Sequence, residues 1–358
     1  MRYHAIAQLR EGMVLASTIY GDNFGVFMVE GTVMGASHIS RLNLLGYPGA
    51  YVKDDDSEGI EAVDVLSGEL RIKAVKATAD MLGYAESAAA GKPGKMPKNF
   101  EKTIVAPMVD SIIASRHRVV DLIDLKPFDS SKYFHSANVA ALSLLIGVEL
   151  GLSGRQLHDL GLAALLHDVG DIFIPDEILE KPGKLTEQER EIVKQHTDKG
   201  FEFVREVLEM PIDACVGVFQ HHENYDGTGY PGKLRGDKIS VLGRIIAVTE
   251  VFDAMISRRP FREAMYPPAA MEFANYHSGT MFDPEIVRTL AQVVSPYPVG
   301  VCVELSTKVR CLVVQNYAGA LQRPKVRMMN SLSKTPLHID LKNDPKFKDT
   351  RITGVLDV

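Results

Sequence analysis

Apolar and polar positions change their period along the chain, and the changes divide it. In the first fifty residues the apolar runs are short (14–20, 26–29 and 51–53) and surround a helix-like stretch, 37–45, that Gly46 closes. Residues 1–60 therefore read as a small α+β module. Asp54-Asp55-Asp56, followed by Ser57 and Gly59, mark its boundary. An alanine-rich stretch then leads to Gly91-Lys92-Pro93-Gly94-Lys95-Met96-Pro97-Lys98, so 61–99 read as a helical segment ending in a linker. From Phe100 to 296 the pattern is that of long helices with short connections, beginning with 104–125. Ser153-Gly154-Arg155-Gln156 before 157–167, and Thr186-Glu187-Gln188-Glu189 before 190–208, are capping boxes that set helix starts. Asp283-Pro284 places an N-cap and a first-turn proline ahead of a helix running to about Val294. Beyond it, 301–305, 309–314 and 326–329 are short and β-rich, making 297–358 a β-rich extension. The expected fold class is mainly α: an all-α helical bundle with a small α+β module before it and a short β-rich extension after it.

Composition narrows the class. A chain of 358 residues exceeds one domain of ~150, and its 46% apolar and 24% charged residues are those of a globular protein, not a disordered or fibrous one. A formal charge of −6 argues against duplex nucleic acid as partner, since phosphate neutralisation needs a basic surface, and leaves only a local basic pocket. Cys215, Cys302 and Cys311 have no ligand-like spacing and read as cytosolic thiols. The most apolar segment, 137–150, is broken by Asn138, Ser143 and Glu149 and is shorter than the ~20 residues of a spanning helix, so no membrane span is predicted. The N-terminus lacks the apolar core of a secretory signal, and the expected location is cytoplasmic.

The chemistry lies in the helical region, where His135, His167, His196, His221 and His222 cluster. His167-Asp168 ends an apolar helix that Gly170 stops. An aspartate buried there without a partner is costly, and a divalent cation satisfies an adjacent imidazole and carboxylate together. Glu250 and Asp253 lie on one face of the apolar segment 241–255, and either completes a mixed imidazole and carboxylate site suited to iron, manganese or zinc. A lone buried histidine is more often a hydrogen-bonded core residue, and Asp253 has an ordinary alternative in pairing with Arg258 or Arg259. The loop Glu223-Asn224-Tyr225-Asp226-Gly227-Thr228-Gly229-Tyr230-Pro231 has glycines that let backbone approach a ligand, and in Tyr230 a ring and a hydroxyl. Arg258-Arg259-Pro260-Phe261-Arg262 places guanidinium groups where they can fork onto phosphate.

Taken together these segments resemble the HD-GYP family, bacterial phosphodiesterases of cyclic di-GMP within the wider HD metal-hydrolase superfamily. The resemblance is carried by His167-Asp168-Val169-Gly170, Ile174-Pro175-Asp176-Glu177-Ile178-Leu179, Lys181-Pro182-Gly183-Lys184-Leu185-Thr186, His196, His221-His222-Glu223, Asp226-Gly227-Thr228-Gly229-Tyr230-Pro231 and Arg259-Pro260-Phe261-Arg262. It spans roughly 128–295, and the terminal modules look like extensions found in some members. The resemblance implies metal ligands at His135, His167, Asp168, His196, His221, His222 and Glu250, with Asp168 bridging two metals, iron or manganese. It implies that Tyr230, with Gly229 and Pro231, contacts the nucleotide or the loop around it, that Arg259 and Arg262 hold its phosphates, and that Asp168, Asp171 and Arg259 stand at the catalytic position. The activity so implied is hydrolysis of cyclic di-GMP to linear pGpG or GMP by a metal-bridging hydroxide. A mixed guanine/adenine cyclic dinucleotide stays open, as do protein signalling partners and a homodimer.

Three departures from the family pattern matter. Asp171 stands where the family usually has lysine, replacing a cation near the phosphate by an anion. Glu250 replaces the usual aspartate with one more methylene. Ser131 stands where some members carry a glutamate for a third metal, which favours two. The first departure supports the rival expectation, a catalytically impaired module that binds cyclic di-GMP as a receptor or scaffold. A nucleotide phosphohydrolase of the wider superfamily is disfavoured by the Gly-Tyr-Pro loop.

Overall fold

The computed structural model describes residues 1–21, 24–61, 66–92, 94–115, 131–257, 264–329 and 336–356. At the N-terminus, β1 (Arg2–Ala5), β2 (Val14–Leu15), β3 (Ile19–Tyr20), β4 (Val26–Met28), α1 (Ala36–Leu44) and β5 (Gly49–Lys53) follow the short apolar runs of the sequence. β5 is the central strand of an antiparallel sheet ordered β1-β5-β2, with Arg2 opposite Val52 and Ala5 opposite Gly49, while β3 and β4 pair as a separate ribbon. Gly46 ends α1 at φ +76, a conformation open to glycine at little cost. Leu15, Leu42, Tyr47 and Val52 form this module's own core.

The helical body comprises α2 (Gly68–Ala89), α3 (Ala106–Ala114), α4 (Ser131–Glu149), α5 (Gly154–Leu165), α6 (Asp176–Leu179), α7 (Glu187–Lys194), α8 (His196–Glu206), α9 (Ile212–Gln220), α10 (Val241–Ile256), α11 (Pro267–Tyr276) and α12 (Pro284–Val293). Both capping boxes form: Ser153 accepts from Gln156 N at the start of α5, and Thr186 accepts from Glu189 N at the start of α7. Asp283 caps α12 by accepting from Glu285 N at 2.8 Å. The single helix expected over 190–208 is instead two, α7 and α8, broken at Gln195. Of the helix expected over 104–125, α3 covers 106–114, and 116–125 lie outside the described residues.

α10 is buried along nearly its whole length, and its Thr249 hydroxyl meets that of Ser143 on α4 at 2.8 Å. One apolar core runs from Leu66 to Val294, so α2, in the stretch expected as helix and linker, packs with the helices that follow it. α2 lies against α4 and against the 3-10 turn Val169–Phe173 that follows His167-Asp168. Among the described residues no helix is long and apolar enough to cross a membrane.

The C-terminal sheet holds β6 (Cys302–Leu305), β7 (Arg310–Gln315), β8 (Lys325–Met328), β9 (His338–Asp340) and β10 (Ile352–Leu356) in the antiparallel order β10-β6-β7-β8-β9. β9 and β10 lie beyond the three β-rich runs of the sequence: β9 spans three residues, and β10 is interrupted by a register shift before Gly354. The two terminal modules meet: Tyr3 N donates to Gly300 O at 2.8 Å, and Arg327 Nη1 donates to the carbonyls of Asp56 at 2.8 Å and Glu58 at 2.9 Å.

The N-terminal module also touches the start of α4. The Phe24 ring lies edge-on to Tyr133, centroids 5.9 Å apart, and 6.4 Å from Phe134, next to His135. Removing the ring takes apolar surface from the seat of α4. Phe24→Ala is expected to lower stability by about 1–2 kcal/mol, since the ring is half-buried. Urea unfolding followed by circular dichroism measures this, and an unchanged midpoint would show that the contact does not seat α4.

Candidate metal centre

The central histidines sit where helices end. His167 and Asp168 follow α5, His196 opens α8, and His221 and His222 follow α9. A helix terminus leaves carbonyls without intrahelical partners, and three of these histidines use one. Nδ1 of His167 meets Ala164 O at 2.9 Å, that of His196 meets Val193 O at 2.7 Å, and that of His221 meets Val218 O at 2.6 Å. A carbonyl only accepts, so each Nδ1 carries the hydrogen and each Nε2 is the atom turned inward. The break at Gln195 thus has a purpose: it brings His196 to a helix start, within reach of a carbonyl one turn back. His135, inside α4, is oriented differently, through Nδ1 against Asp253 Oδ2 at 2.7 Å.

Asp168 lies between the rings. Its Oδ2 is 3.1 Å from His167 Nε2, while its Oδ1 is 3.6 Å from His221 Nε2 and 3.8 Å from His196 Nε2. The His196 and His221 Nε2 atoms are 3.3 Å apart. Ligand atoms of Asp168, His196, His221 and His222 all lie within 4.8 Å of one another, as do those of His135, His167 and Asp168. Asp168 belongs to both groups and turns a different oxygen to each. Imidazole nitrogens with fixed tautomers around a shared carboxylate are the donor set of a first-row divalent cation, so the residues present fit such a metal.

The close approach of the turn after Asp168 to α8 depends on Gly170. A Cβ there would lie 1.9 Å from His196 O and 2.8 Å from Gly200 N, so no side chain fits. On α10 the two carboxylates part company. Glu250 lies beside the centre, 3.9 Å from His222 Nδ1, outside both close donor groups. Asp253 is 1% exposed and accepts from His135 Nδ1 and, at 3.0 Å, from Asn138 Nδ2. The expectation that either carboxylate completes the site is therefore corrected for Asp253, whose oxygens are turned to these donors. Arg258, Arg259 and Arg262 lie outside the described residues.

Glu223, quoted in the sequence motif without a role, is the anchor of the loop. It is 2% exposed, and its two oxygens accept from Gly232 N at 2.6 Å and Leu234 N at 2.9 Å. A buried glutamate directly after two histidines was the available signal, because a buried carboxylate demands donors. Gly229 sits where the loop doubles back: a Cβ would lie 2.2 Å from Asn224 N and 2.4 Å from His222 O. Tyr230 stacks on His222, ring centroids 4.8 Å apart, and stands edge-on to His196. One face of the ring expected to meet a ligand is thus already covered.

Charge in the site is set by burial and crowding. Burial opposes a proton on His167, but the neighbouring Asp168 carboxylate prevails and raises its pKa to about 9. Burial holds His221 down to about 4 and His222 well below the usual histidine value, so both are neutral at pH 7. Burial and then the Asp168 charge push Asp171 up to about 7. Burial, with the charges of Glu250, Asp168 and Asp171, raises the Tyr230 phenol, which keeps its proton as a donor. A pocket of about 700 Å³ opens beside the centre, lined by His222, Tyr230, Pro231, Glu250, Lys194 and Lys233.

A helical domain with this histidine and aspartate centre has the make-up of a metal-dependent hydrolase. Residues 118–286 match the family described as HD domain. The match takes in a little under half of the chain and agrees with the superfamily that its motifs resemble. It is 35% identical over 254 residues to a cyclic di-GMP phosphodiesterase of Pseudomonas aeruginosa, covering 69% of this chain and 60% of that protein. It is 42% identical over 148 residues to the cyclic di-GMP phosphodiesterase response regulator RpfG of Xanthomonas campestris pv. campestris, covering 41% of this chain and 39% of that one. It is 36% identical over 164 residues to the 3'3'-cGAMP-specific phosphodiesterase 3 of Vibrio cholerae, covering 46% of this chain and 35% of that protein. The chain therefore spans between about a third and three fifths of the length of these relatives.

Two substitutions test the geometry. Asp253→Asn, which weakens the hold on His135 Nδ1, is expected to lower affinity for Mn(II) about 10–100-fold. Titration calorimetry reads the change, and wild-type affinity would dismiss Asp253 as an orienting group. Gly170→Ala forces the turn away from His196 and is expected to cost on the order of 1–3 kcal/mol of stability. Thermal unfolding at wild-type temperature would contradict the close contact.

Proposed function

We propose that this chain is a metal-dependent phosphodiesterase that opens cyclic di-GMP to linear pGpG, and onward to GMP, with two first-row divalent metals, iron or manganese. The observation that carries this reading is Asp168, which turns one oxygen towards His167 and the other towards His196 and His221. His135, His167 and Asp168 would hold one metal, and Asp168, His196, His221 and His222 the other, with Glu250 completing the set. Bound metals supply Lewis-acid activation of water and neutralise phosphate charge. Similarity to proteins named as cyclic di-GMP phosphodiesterases supports the substrate, and a mixed guanine/adenine ring is the nearest competitor. Because this substrate class is an intracellular messenger, the reading places the chain in the cytoplasm.

The chain's own groups have separable tasks in this reading. Neutral His221 and His222 offer lone pairs at pH 7 without first shedding a proton. Glu223 fixes the loop so that Tyr230, Gly229 and Pro231 stand at the pocket wall. Arg259 and Arg262 would hold phosphate oxygens. Asp171, raised to about 7 by burial and the Asp168 charge, is only partly ionised at neutral pH before metal binds.

The test is turnover by anaerobically purified protein loaded with Fe(II) or Mn(II), with bound metal quantified in the same sample. Linear dinucleotide or GMP is expected, and a His167→Ala/Asp168→Ala variant should form neither. Asp171→Lys is expected to lose turnover. No product from wild-type protein carrying two metals, together with a large gain in Asp171→Lys, would overturn the phosphodiesterase in favour of a receptor.

A further inference from the structure

Lys194 and Lys233 line the same pocket as Tyr230 and Glu250. Lys194 ends α7, with its ammonium 5.7 Å from the Tyr230 ring centroid. Its ion pair is with Glu191 on its own helix, and both side chains are solvent-exposed, at 38% and 60%. Exposed pairs of this kind contribute little and exchange readily for a better anion.

Lys233 is the less ordinary of the two. It holds φ +52, a left-handed conformation that side-chain-bearing residues rarely adopt, although Gly232 stands directly before it without a positive φ. Glu223 forces the bend by binding Gly232 N and Leu234 N on either side of Lys233. Among the described residues the Lys233 ammonium has no hydrogen-bond or ion-pair partner, so the strain is not offset by any contact within the protein.

A cyclic dinucleotide carries two phosphodiesters on opposite sides of its ring, and only one can react at a time. Glu250 lines the pocket beside His222, and Asp168 lies between the histidines of the metal centre, so that side is acidic and the phosphate left outside the metal centre needs cations of its own. Resting on the proposed phosphodiesterase reading, we propose that Lys194 and Lys233 form a subsite for the second, unreacting phosphodiester of the cyclic dinucleotide. Lysine serves this role as a point charge with rotatable donors, matching a phosphate that must be held but not oriented for attack.

The test is steady-state kinetics of the metal-loaded protein on cyclic di-GMP, with binding of cyclic di-GMP to the metal-stripped protein measured by calorimetry. Lys194→Met and Lys233→Gly should each raise KM, and weaken binding, about tenfold, with kcat changing far less, because the contact is equal in ground and transition states. Lys233→Arg should retain affinity within about threefold, because it keeps the charge. Lys233→Gly should also unfold at a higher temperature, so its lost affinity cannot be ascribed to misfolding. On bis(p-nitrophenyl) phosphate, which has one phosphodiester, the loss should be at least about fivefold smaller than on cyclic di-GMP. Equal losses on both substrates, or unchanged KM and binding in both variants, would overturn the subsite while leaving the phosphodiesterase intact. Wild-type protein that neither binds nor hydrolyses cyclic di-GMP would overturn both.

Discussion

His167, His196 and His221 each donate Nδ1–H to a carbonyl three residues back at a helix end, and the centre depends on this repeated local bond. It satisfies a carbonyl that the helix terminus leaves open, and it fixes which nitrogen of each ring faces inward. An imidazole free to change tautomer would present a hydrogen to Asp168 in one state and a lone pair in the other. With Nδ1 committed, the three Nε2 atoms all face the Asp168 carboxylate, and His167 Nε2 would give up its proton on binding a metal. His135 has no helix end to use, and a carboxylate from α10 does the same work across the core.

Rigid packing carries these rings to one place. The turn after Asp168 rests on α8 at a distance only glycine permits, which ties two of the helix ends together. α10 contributes twice: Asp253 orients His135, and Glu250, three residues earlier, lies beside His222. Neighbouring positions on one helix face serve different rings because α4 and the end of α9 both pack on α10. The small N-terminal module reaches this framework through Phe24 against α4, and the C-terminal sheet reaches it through the carbonyls and backbone it shares with that module.

Electrostatics follow from the same enclosure. Burial disfavours the charges of both Asp168 and Asp171; Asp171, in the field of Asp168, rises to about 7, and His167 holds a proton to about 9. A concentration of anions and inward lone pairs is stable when positive charge enters it. Burial and the Asp168 charge leave Asp171 partly protonated near neutral pH before any metal binds.

Local signals were legible without coordinates. The capping boxes at Ser153 and Thr186, the stop at Gly46, the Asp283 cap and the ordering of histidine motifs all depend on residues a few positions apart, so the sequence alone determined the helical class, the starts of α5, α7 and α12, and the candidate ligands. What it did not determine depends on contacts between distant segments. The break between α7 and α8 has no proline or glycine to announce it; it exists because His196 reaches Val193 O and Gly170 seats against its carbonyl. Asp253 and Glu250 looked interchangeable on one helix, and only the packing of α4 against α10 separated them. Glu223 became the anchor of its loop through backbone donors nine and eleven residues away. Sequence spacing fixes which residues share a helix face or turn, whereas burial and the meeting of helix ends decide which atom of each residue faces the centre.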